Sequence, residues 1–185
     1  MDLGISDKLK PILEEVKQFI DIEILPLEHE YHQEVGKGDR WAFTERQTEI
    51  LETLKAKARA KNLWNFFLTH YEGGHGLNTV EYAYIAQETG RSHLAPEVFN
   101  CAAPDTGNME VLARYCNDEQ KEKWLKPLLA GEIRSAYAMT EPDVASSDAT
   151  NIAMSCVADG DEWVLNGEKI LISGAGDPRC KIMLV

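Results

Sequence analysis

Near residue 135 the apolar residues change their spacing, and a chain that does this must build two kinds of layer. Before that point Leu9, Ile12, Leu13, Val16, Phe19 and Ile20 recur at three- and four-residue steps, as do Ile50, Leu51, Leu54 and Ala58. Each set makes one apolar stripe along a helix. After it, residues 152–157 alternate, and Trp163 to Leu165, Lys169 to Ser173 and Lys181 to Val185 read as strands. The expected class is α+β, with helices first and strands after.

Punctuation divides the helical part. Ser6 is an expected N-cap, and residues 6–34 read as one long helix or a pair kinked at Pro26. Gly36 to Asp39 is a loop. Thr44 with Gln47 forms a capping box for a second helix that ends near Lys61-Asn62. The cluster Leu63 to Leu68 reads as core. Tyr71 to Leu77, YEGGHGL, reads as a flexible loop without the Lys-Ser/Thr ending of a phosphate loop. A third helix runs from Asn78 or Thr79 through Gln87, closed by Gly90 as a C′ residue. Val98 to Ala103 and Thr106 to Tyr115 are further helical segments, parted by Pro104. The small residues Cys101, Ala102, Ala103 and Gly107 either leave room beside a helix or let two helices touch. Asn117 caps Asp118 to Lys126, and Pro127 with Gly131 ends the helical half. In the strand region Asp159-Gly160-Asp161 is a turn, Asn166-Gly167 a hairpin signal, and Gly174 to Pro178 a break.

Composition excludes several classes. The net charge of −12 over 185 residues argues against nucleic acid, which demands clustered Lys and Arg. An anionic cofactor must therefore be held by local backbone donors. Hydrophobic content of 44% with 27% charged residues is that of a soluble globular protein, and no apolar run reaches the roughly 20 residues of a transmembrane helix. The N-terminus, MDLGISDKLK, lacks the features of a secretion signal or transit peptide. The four cysteines, Cys101, Cys116, Cys156 and Cys180, lack C-x-x-C spacing and read as buried free thiols of an intracellular protein. His29 and His32 occur as H-E-x-H, not the H-E-x-x-H of a metal-binding helix, so no metal is expected.

The most informative stretch is Ser135 to Asp148, SAYAMTEPDVASSD. A short strand is halted by Thr140-Glu141-Pro142, since Pro142 has no N–H to give a sheet. A loop of small and acidic residues with free N–H groups and hydroxyls follows, suited to a polar, flat or phosphorylated ligand. The string AYAMTEPDVASSD resembles the flavin-contacting segment of the acyl-CoA dehydrogenases. Its extension DVASSDATNI is most similar to the branch associated with long-chain or branched acyl-CoA. Downstream NGEKILISGAG resembles the next flavin-contacting strand, and YEGGHGL the family's loop between N-terminal helices. The three motifs keep the family's order and spacing over nearly the whole chain.

The resemblance implies an N-terminal helical domain over 1–134 and, over 135–185, the first part of an antiparallel β-barrel-like middle domain. It implies FAD and α,β-dehydrogenation of an acyl-CoA thioester, with electrons leaving to an electron-transfer flavoprotein. A carboxylate base takes the α proton while the flavin takes a hydride from the β carbon. Tyr137, Met139 and Thr140 match positions lining the flavin, and Leu171, Ile172 and Ser173 match the second flavin segment. Ser147 matches the serine between the flavin side and acyl-CoA. Two departures stand out: Leu171 replaces a usual aromatic, and the loop from Asp143 to Ser147 is one residue longer and has Asp143 where glycine is usual. In the family the acyl chain runs near the Cys101 to Gly107 segment. Glu141 matches a structural position, and the base comes from a C-terminal helical domain, so no catalytic residue is assigned in this chain. A homo-oligomer, dimer or tetramer, is also implied, in the cytoplasm of a bacterium or in a eukaryotic mitochondrion or peroxisome.

Two other readings stand beside this one. The motifs serve equally an acyl-CoA oxidase or flavin monooxygenase, in which reduced flavin meets oxygen. The chain also stops at Val185 within a strand, which reads as the N-terminal half of a longer protein and fits a truncated, non-catalytic helical module. The isolated chain is expected to be inactive.

Overall fold

The structure, a computed structural model, describes residues 3–39, 42–69 and 74–185. Helices α1 (Leu9–Phe19) and α2 (Leu25–Glu34) are joined through a π-helical turn over Ile20–Ile24, in which the Leu25 N–H donates to the Ile20 carbonyl. The proline expected to bend this helix is the cause. Pro26 cannot donate to residue 22 and its ring presses on that carbonyl, and a wider turn just ahead relieves both. The same device recurs at Pro127, where a π turn over Lys121–Leu125 separates α7 (Asp118–Gln120) from α8 (Lys126–Leu129). Between these pairs lie α3 (Glu45–Ala60), α4 (Thr79–Thr89), α5 (Ala95–Val98) and α6 (Asp105–Tyr115).

The caps follow the sequence closely. The Ser6 hydroxyl accepts from the Leu9 N–H at 3.1 Å. Thr44 with Gln47, Asn78 with Glu81, and Asn117 with Gln120 each close a reciprocal capping box. Gly90 departs from expectation: its φ of −64° makes it a right-handed C-cap, not a left-handed C′ residue. The helix expected over Val98 to Ala103 lies earlier, as α5. Asn100 ends it in the left-handed region at φ 54°, where its side chain donates to Asn65 Oδ1 (2.7 Å) and the Leu128 carbonyl (3.0 Å). Of the loop expected over Tyr71 to Leu77, the first three residues lie outside the described residues. His75 anchors the remainder, with Nε2 2.9 Å from the Trp64 carbonyl and its ring against Phe66.

The apolar stripes meet in one core of Leu13, Val16, Ile20, Ile50, Leu54, Phe66, Ile85 and Phe99, all buried. A second, smaller core joins Phe67 and Leu68 to Met109, Leu112, Leu125 and Leu128. The aromatic cluster at Leu63 to Leu68 is thus core, as its sequence suggests. The four cysteines are free, but they are not buried as expected: Cys156 is exposed on a strand and the other three are half-buried.

Strand β1 (Arg134–Tyr137) pairs in parallel with β4 (Cys180–Leu184), while β2 (Ser155–Asp159) and β3 (Glu162–Asn166) form an antiparallel hairpin. The α+β class is as expected; the parallel pair is an addition to it. Three strand expectations shift. Residues 152–154 stay outside β2 because the Ala153 and Met154 N–H groups are given to the Glu141 carboxylate (2.7 and 3.0 Å). The hairpin turns at Gly160, not at Asn166-Gly167. Gly167 instead allows close approach, since a Cβ there would sit 2.7 Å from Met154 Cγ. Residues 169–173 form no strand, because Leu171 turns left-handed at φ 55° and breaks the pleat.

A buried charge node fastens the strands to the helices. Glu97 on α5 accepts from Arg134, from Arg179 Nη1 (2.6 Å) and from Lys55 Nζ (3.2 Å). Arg134 also bonds Asp105 on α6, which accepts the Ser135 N–H (2.8 Å) and hydroxyl (2.5 Å). Asn108, one turn on, donates to Ser135 Oγ (2.9 Å) and the Ala136 carbonyl (3.1 Å). Burial pushes the Glu97 carboxyl up, but Arg134, Arg179 and Lys55 outweigh it and hold its pKa at about 2, against an ordinary 4.5. Because the folded value is the lower one, this contribution is complete above pH 4.5 and fades as the pH falls towards 2. Glu97→Gln should therefore lose roughly 3–5 kcal/mol at neutral pH, as breaking a buried charge pair typically does. The gap from wild type should close as the pH falls through that window. Urea midpoints of both proteins across the range check it, and a gap independent of pH would refute it.

Candidate functional site

The segment that leaves β1 and the segment that follows Gly167 face each other across a cleft of about 400 Å³. Tyr137, Met139 and Thr140 line one side and Leu171, Ile172 and Ser173 the other, with Ala103 and Pro104 closing the helical side. Six of the seven expected site residues, from stretches some thirty positions apart in the chain, are thus brought together. Ser147 is not among the lining residues; it is exposed on the loop after Pro142. Its neighbour Ser146 is the buried one, accepting the Glu141 N–H at 2.8 Å.

Three bonds hold the two sides together. The Ile170 N–H donates to the Thr140 carbonyl at 2.9 Å. Lys169 Nζ donates to the Met139 carbonyl (3.0 Å) and to Glu141 Oε1 (2.8 Å). Both members of that ion pair are largely out of solvent. The Lys169 hydrogen bond, with the N–H groups of Ala153 and Met154, holds the Glu141 carboxyl below the usual carboxylate range. Glu141 is thus a structural anion tying three segments, as the resemblance implies, and both its oxygens are occupied. Sequence reading missed Lys169 and Ser146 as supports of the site, while Ala103 and Pro104 fall in the segment where the resemblance runs the acyl chain. The only signal for Lys169 was a lone cation just before an apolar run.

The cleft surface fits a flat, partly polar ligand. The hydroxyls of Thr140 and Ser173 line it, and neither is hydrogen-bonded to another described residue. Leu171 is 86% exposed in a left-handed conformation that typically costs leucine about 1–2 kcal/mol, so an apolar side chain is held strained at the mouth. Tyr137 is 48% exposed beside it. Among the described residues no carboxylate or histidine lines the cleft. Among the described residues no group of three His, Cys, Asp or Glu side chains could hold a metal, and no helix is long and apolar enough to cross a membrane. His29 meets Gln33, and His32 meets Glu28 and packs edge-on against the rings of Tyr31 and His93. The half-buried Cys101 thiol is pushed up to about 11 by loss of water, which leaves it protonated at neutral pH.

Residues 6–132 match the acyl-CoA dehydrogenase N-terminal domain and residues 136–185 the middle domain of the same family. The chain is 50% identical over 182 residues to acyl-CoA dehydrogenase family member 11 of Homo sapiens, covering 96% of this chain and 22% of that protein. It is 44% identical over 189 residues to the probable acyl-CoA dehydrogenase FadE2 of Mycobacterium tuberculosis, covering 100% of this chain and 44% of that protein. A solved structure of a putative acyl-CoA dehydrogenase from Mycobacterium abscessus superimposes with a TM-score of 0.87 at 49% identity, over 97% of this chain and 46% of that one. An acyl-CoA dehydrogenase complexed with FAD from Bacillus anthracis gives a TM-score of 0.63 at 29% identity, over 98% of this chain and 29% of that one. The chain spans less than half the length of these relatives. With both family domains matched in order along its length, the chain belongs to the acyl-CoA dehydrogenase family.

Proposed function

We propose that the cleft between residues 137–140 and 171–173 is one wall of an FAD site in an enzyme that dehydrogenates acyl-CoA thioesters. The observation that carries this reading is the convergence of six residues on one cleft with two hydroxyls unpartnered among the described residues and an exposed Leu171 at its mouth. When bound, FAD supplies the acceptor for a hydride from the β carbon. The protein's part is positional. Thr140 and Ser173 offer hydroxyls to the polar edge of the ring, Tyr137, Met139, Leu171 and Ile172 give it an apolar bed, and Lys169 keeps the two sides in register. Ser147, exposed on the adjoining loop, is assigned by resemblance to lie between the flavin side and the acyl-CoA.

The finer reading follows the same logic. The domains are a helical one over 1–134 and a β one from 135. The substrate is a long- or branched-chain acyl-CoA, the acceptor an electron-transfer flavoprotein, and the working form a homo-oligomer inside the cell. Following the family resemblance, the α proton is taken by a carboxylate outside these 185 residues, and the chain by itself is inactive. Anaerobic addition of a long-chain acyl-CoA to this chain with FAD should leave the flavin oxidised, and rapid stoichiometric bleaching would refute the assignment. Bleaching of the complete protein, followed by reoxidation with air or with electron-transfer flavoprotein, separates oxidase from dehydrogenase.

Two sets of variants test the residue roles in the complete protein. Thr140→Ala and Ser173→Ala each remove one hydroxyl bond, typically about 0.5–1.5 kcal/mol, so FAD affinity should fall roughly 2- to 12-fold in each. Titration of apoprotein followed by flavin absorbance measures it, and unchanged affinity in both refutes their roles. Lys169→Met should lower FAD affinity and shift the flavin absorbance bands, because the two sides lose their clasp. Lys169→Arg should restore both in part. A Met variant with wild-type affinity and spectrum would show that Lys169 serves only folding.

A further inference from the structure

The second side of the candidate cleft is a thin wall. Ile172 and Ser173 line that cleft on one face and a separate cleft of about 410 Å³ on the other, where Tyr31 and Phe43 stand opposite. Ser173 and the three residues after it are exposed, so burial does not fix where the Ser173 hydroxyl stands. Bonds within the segment stiffen it. The Ala175 N–H donates to the Ile172 carbonyl (3.2 Å) and the Asp177 N–H to the Gly174 carbonyl (3.0 Å). A stiff segment with space on both faces is placed by what holds its ends.

One end is the Lys169 clasp on Glu141, beside the Ile170 N–H on the Thr140 carbonyl. The other end is ionic as well. The Asp177 carboxylate accepts from the Arg179 N–H (2.8 Å), Nε (3.1 Å) and Nη2 (2.8 Å). Arg179 Nη1 reaches Glu97 (2.6 Å), and the Arg179 carbonyl accepts the Arg134 N–H (2.9 Å). Arg134 also bonds Glu97 and opens β1, the strand that carries Tyr137. A planar guanidinium suits this post, since its fork can hold two carboxylates at once. The walls are therefore clasped at both ends, by Glu141 with Lys169 at one and by Arg134, Glu97, Arg179 and Asp177 at the other. Gly174, left-handed at φ 85°, closes the second end, where a Cβ would come 3.4 Å from the Ser135 carbonyl.

We propose that Asp177, paired with Arg179 on Glu97, is a positioning residue for the flavin: it holds the Ser173 hydroxyl at a fixed distance from the Thr140 wall. The inference rests on the FAD reading above and adds what sets the spacing of the two hydroxyls. Asp177 is not among the residues lining the candidate cleft, so it acts through the turn that joins it to Ser173. Without its carboxylate that turn loses Arg179, and Ser173 leaves the ring's polar edge while Lys169 still holds the opposite end. A site of this kind is only as exact as the groups behind it.

The test is a double-mutant cycle in the complete protein, read by FAD titration of apoprotein and by the absorbance spectrum of the bound flavin. Asp177→Ala should weaken FAD binding by no more than the roughly 2- to 12-fold expected of Ser173→Ala, and should move the flavin bands in the same sense. With Ser173→Ala already present it should change neither affinity nor spectrum further, because the hydroxyl it positions is gone. Asp177→Asn keeps an oxygen for the Arg179 N–H and should recover part of both. It also replaces the alanine variant in the cycle if that variant does not fold. Losses that multiply in the double variant would overturn the inference. So would Asp177 variants with a lowered apoprotein melting temperature but wild-type affinity and spectrum, since the pair would then serve folding alone. Both results leave the FAD reading intact. A Ser173→Ala protein that binds FAD as wild type does would remove the group through which Asp177 acts, and the inference would fall. A wild type that takes up no FAD would overturn the FAD reading itself, and this inference with it.

Discussion

A carboxylate taken out of water must be surrounded by donors, and the meeting of three cations on Glu97 is the constraint from which the rest of this structure follows. Lys55 comes from α3, Arg134 from the start of β1, and Arg179 from the segment leading into β4. Each brings its own element to α5. Arg179 also stacks on Phe43 at 4.5 Å, which draws in the segment ahead of α3. Arg134 is shared with Asp105, and Asp105 in turn fixes the backbone of Ser135. The direction in which β1 leaves the helices is therefore set by ionic and hydrogen-bonding geometry more than by apolar packing. The β2–β3 hairpin, which lacks such anchors, is exposed along both strands.

The candidate site is the next step of the same chain of dependence. Once β1 is aimed, Tyr137 to Thr140 necessarily runs past Ala103 and Pro104. The opposite side arrives through a second buried pair, Glu141 with Lys169. One carboxylate thus joins helix to strand and another joins the two sides of the cleft. Between them, apolar and strained groups can be left exposed at the mouth without loss of register. This division fits a binding surface that must exist before its ligand arrives: the cleft's own residues need not pack against one another, because charges behind them hold the backbone.

Much of the local structure was legible before any coordinates. Caps at Ser6, Thr44, Asn78 and Asn117 follow from side chains that reach their own backbone, an interaction decided within three residues. The bend ahead of Pro26 follows from a missing N–H. That Tyr137, Met139 and Thr140 meet Leu171, Ile172 and Ser173 at one cleft was expected by resemblance, because a short strand followed by Thr-Glu-Pro and a small-residue loop is a distinctive string. The failures have distant or backbone causes. Residues 152–154 and 169–173 have strand composition, yet Glu141 takes N–H groups of the first and the left-handed turn at Leu171 breaks the second. Asn100, a weak helix former, ends α5 because Asn65 and Leu128 offer its amide partners from distant parts of the chain.

The sequence by itself determined where helices give way to strands and where most helices begin, because each of these rests on period, capping or a few adjacent residues. Tertiary structure alone decided that Lys55, Arg134 and Arg179 converge on Glu97 and that Lys169 clasps Glu141. Those outcomes depend on groups tens of residues apart meeting within about 3 Å, and no local pattern encodes which distant partner a buried charge will find.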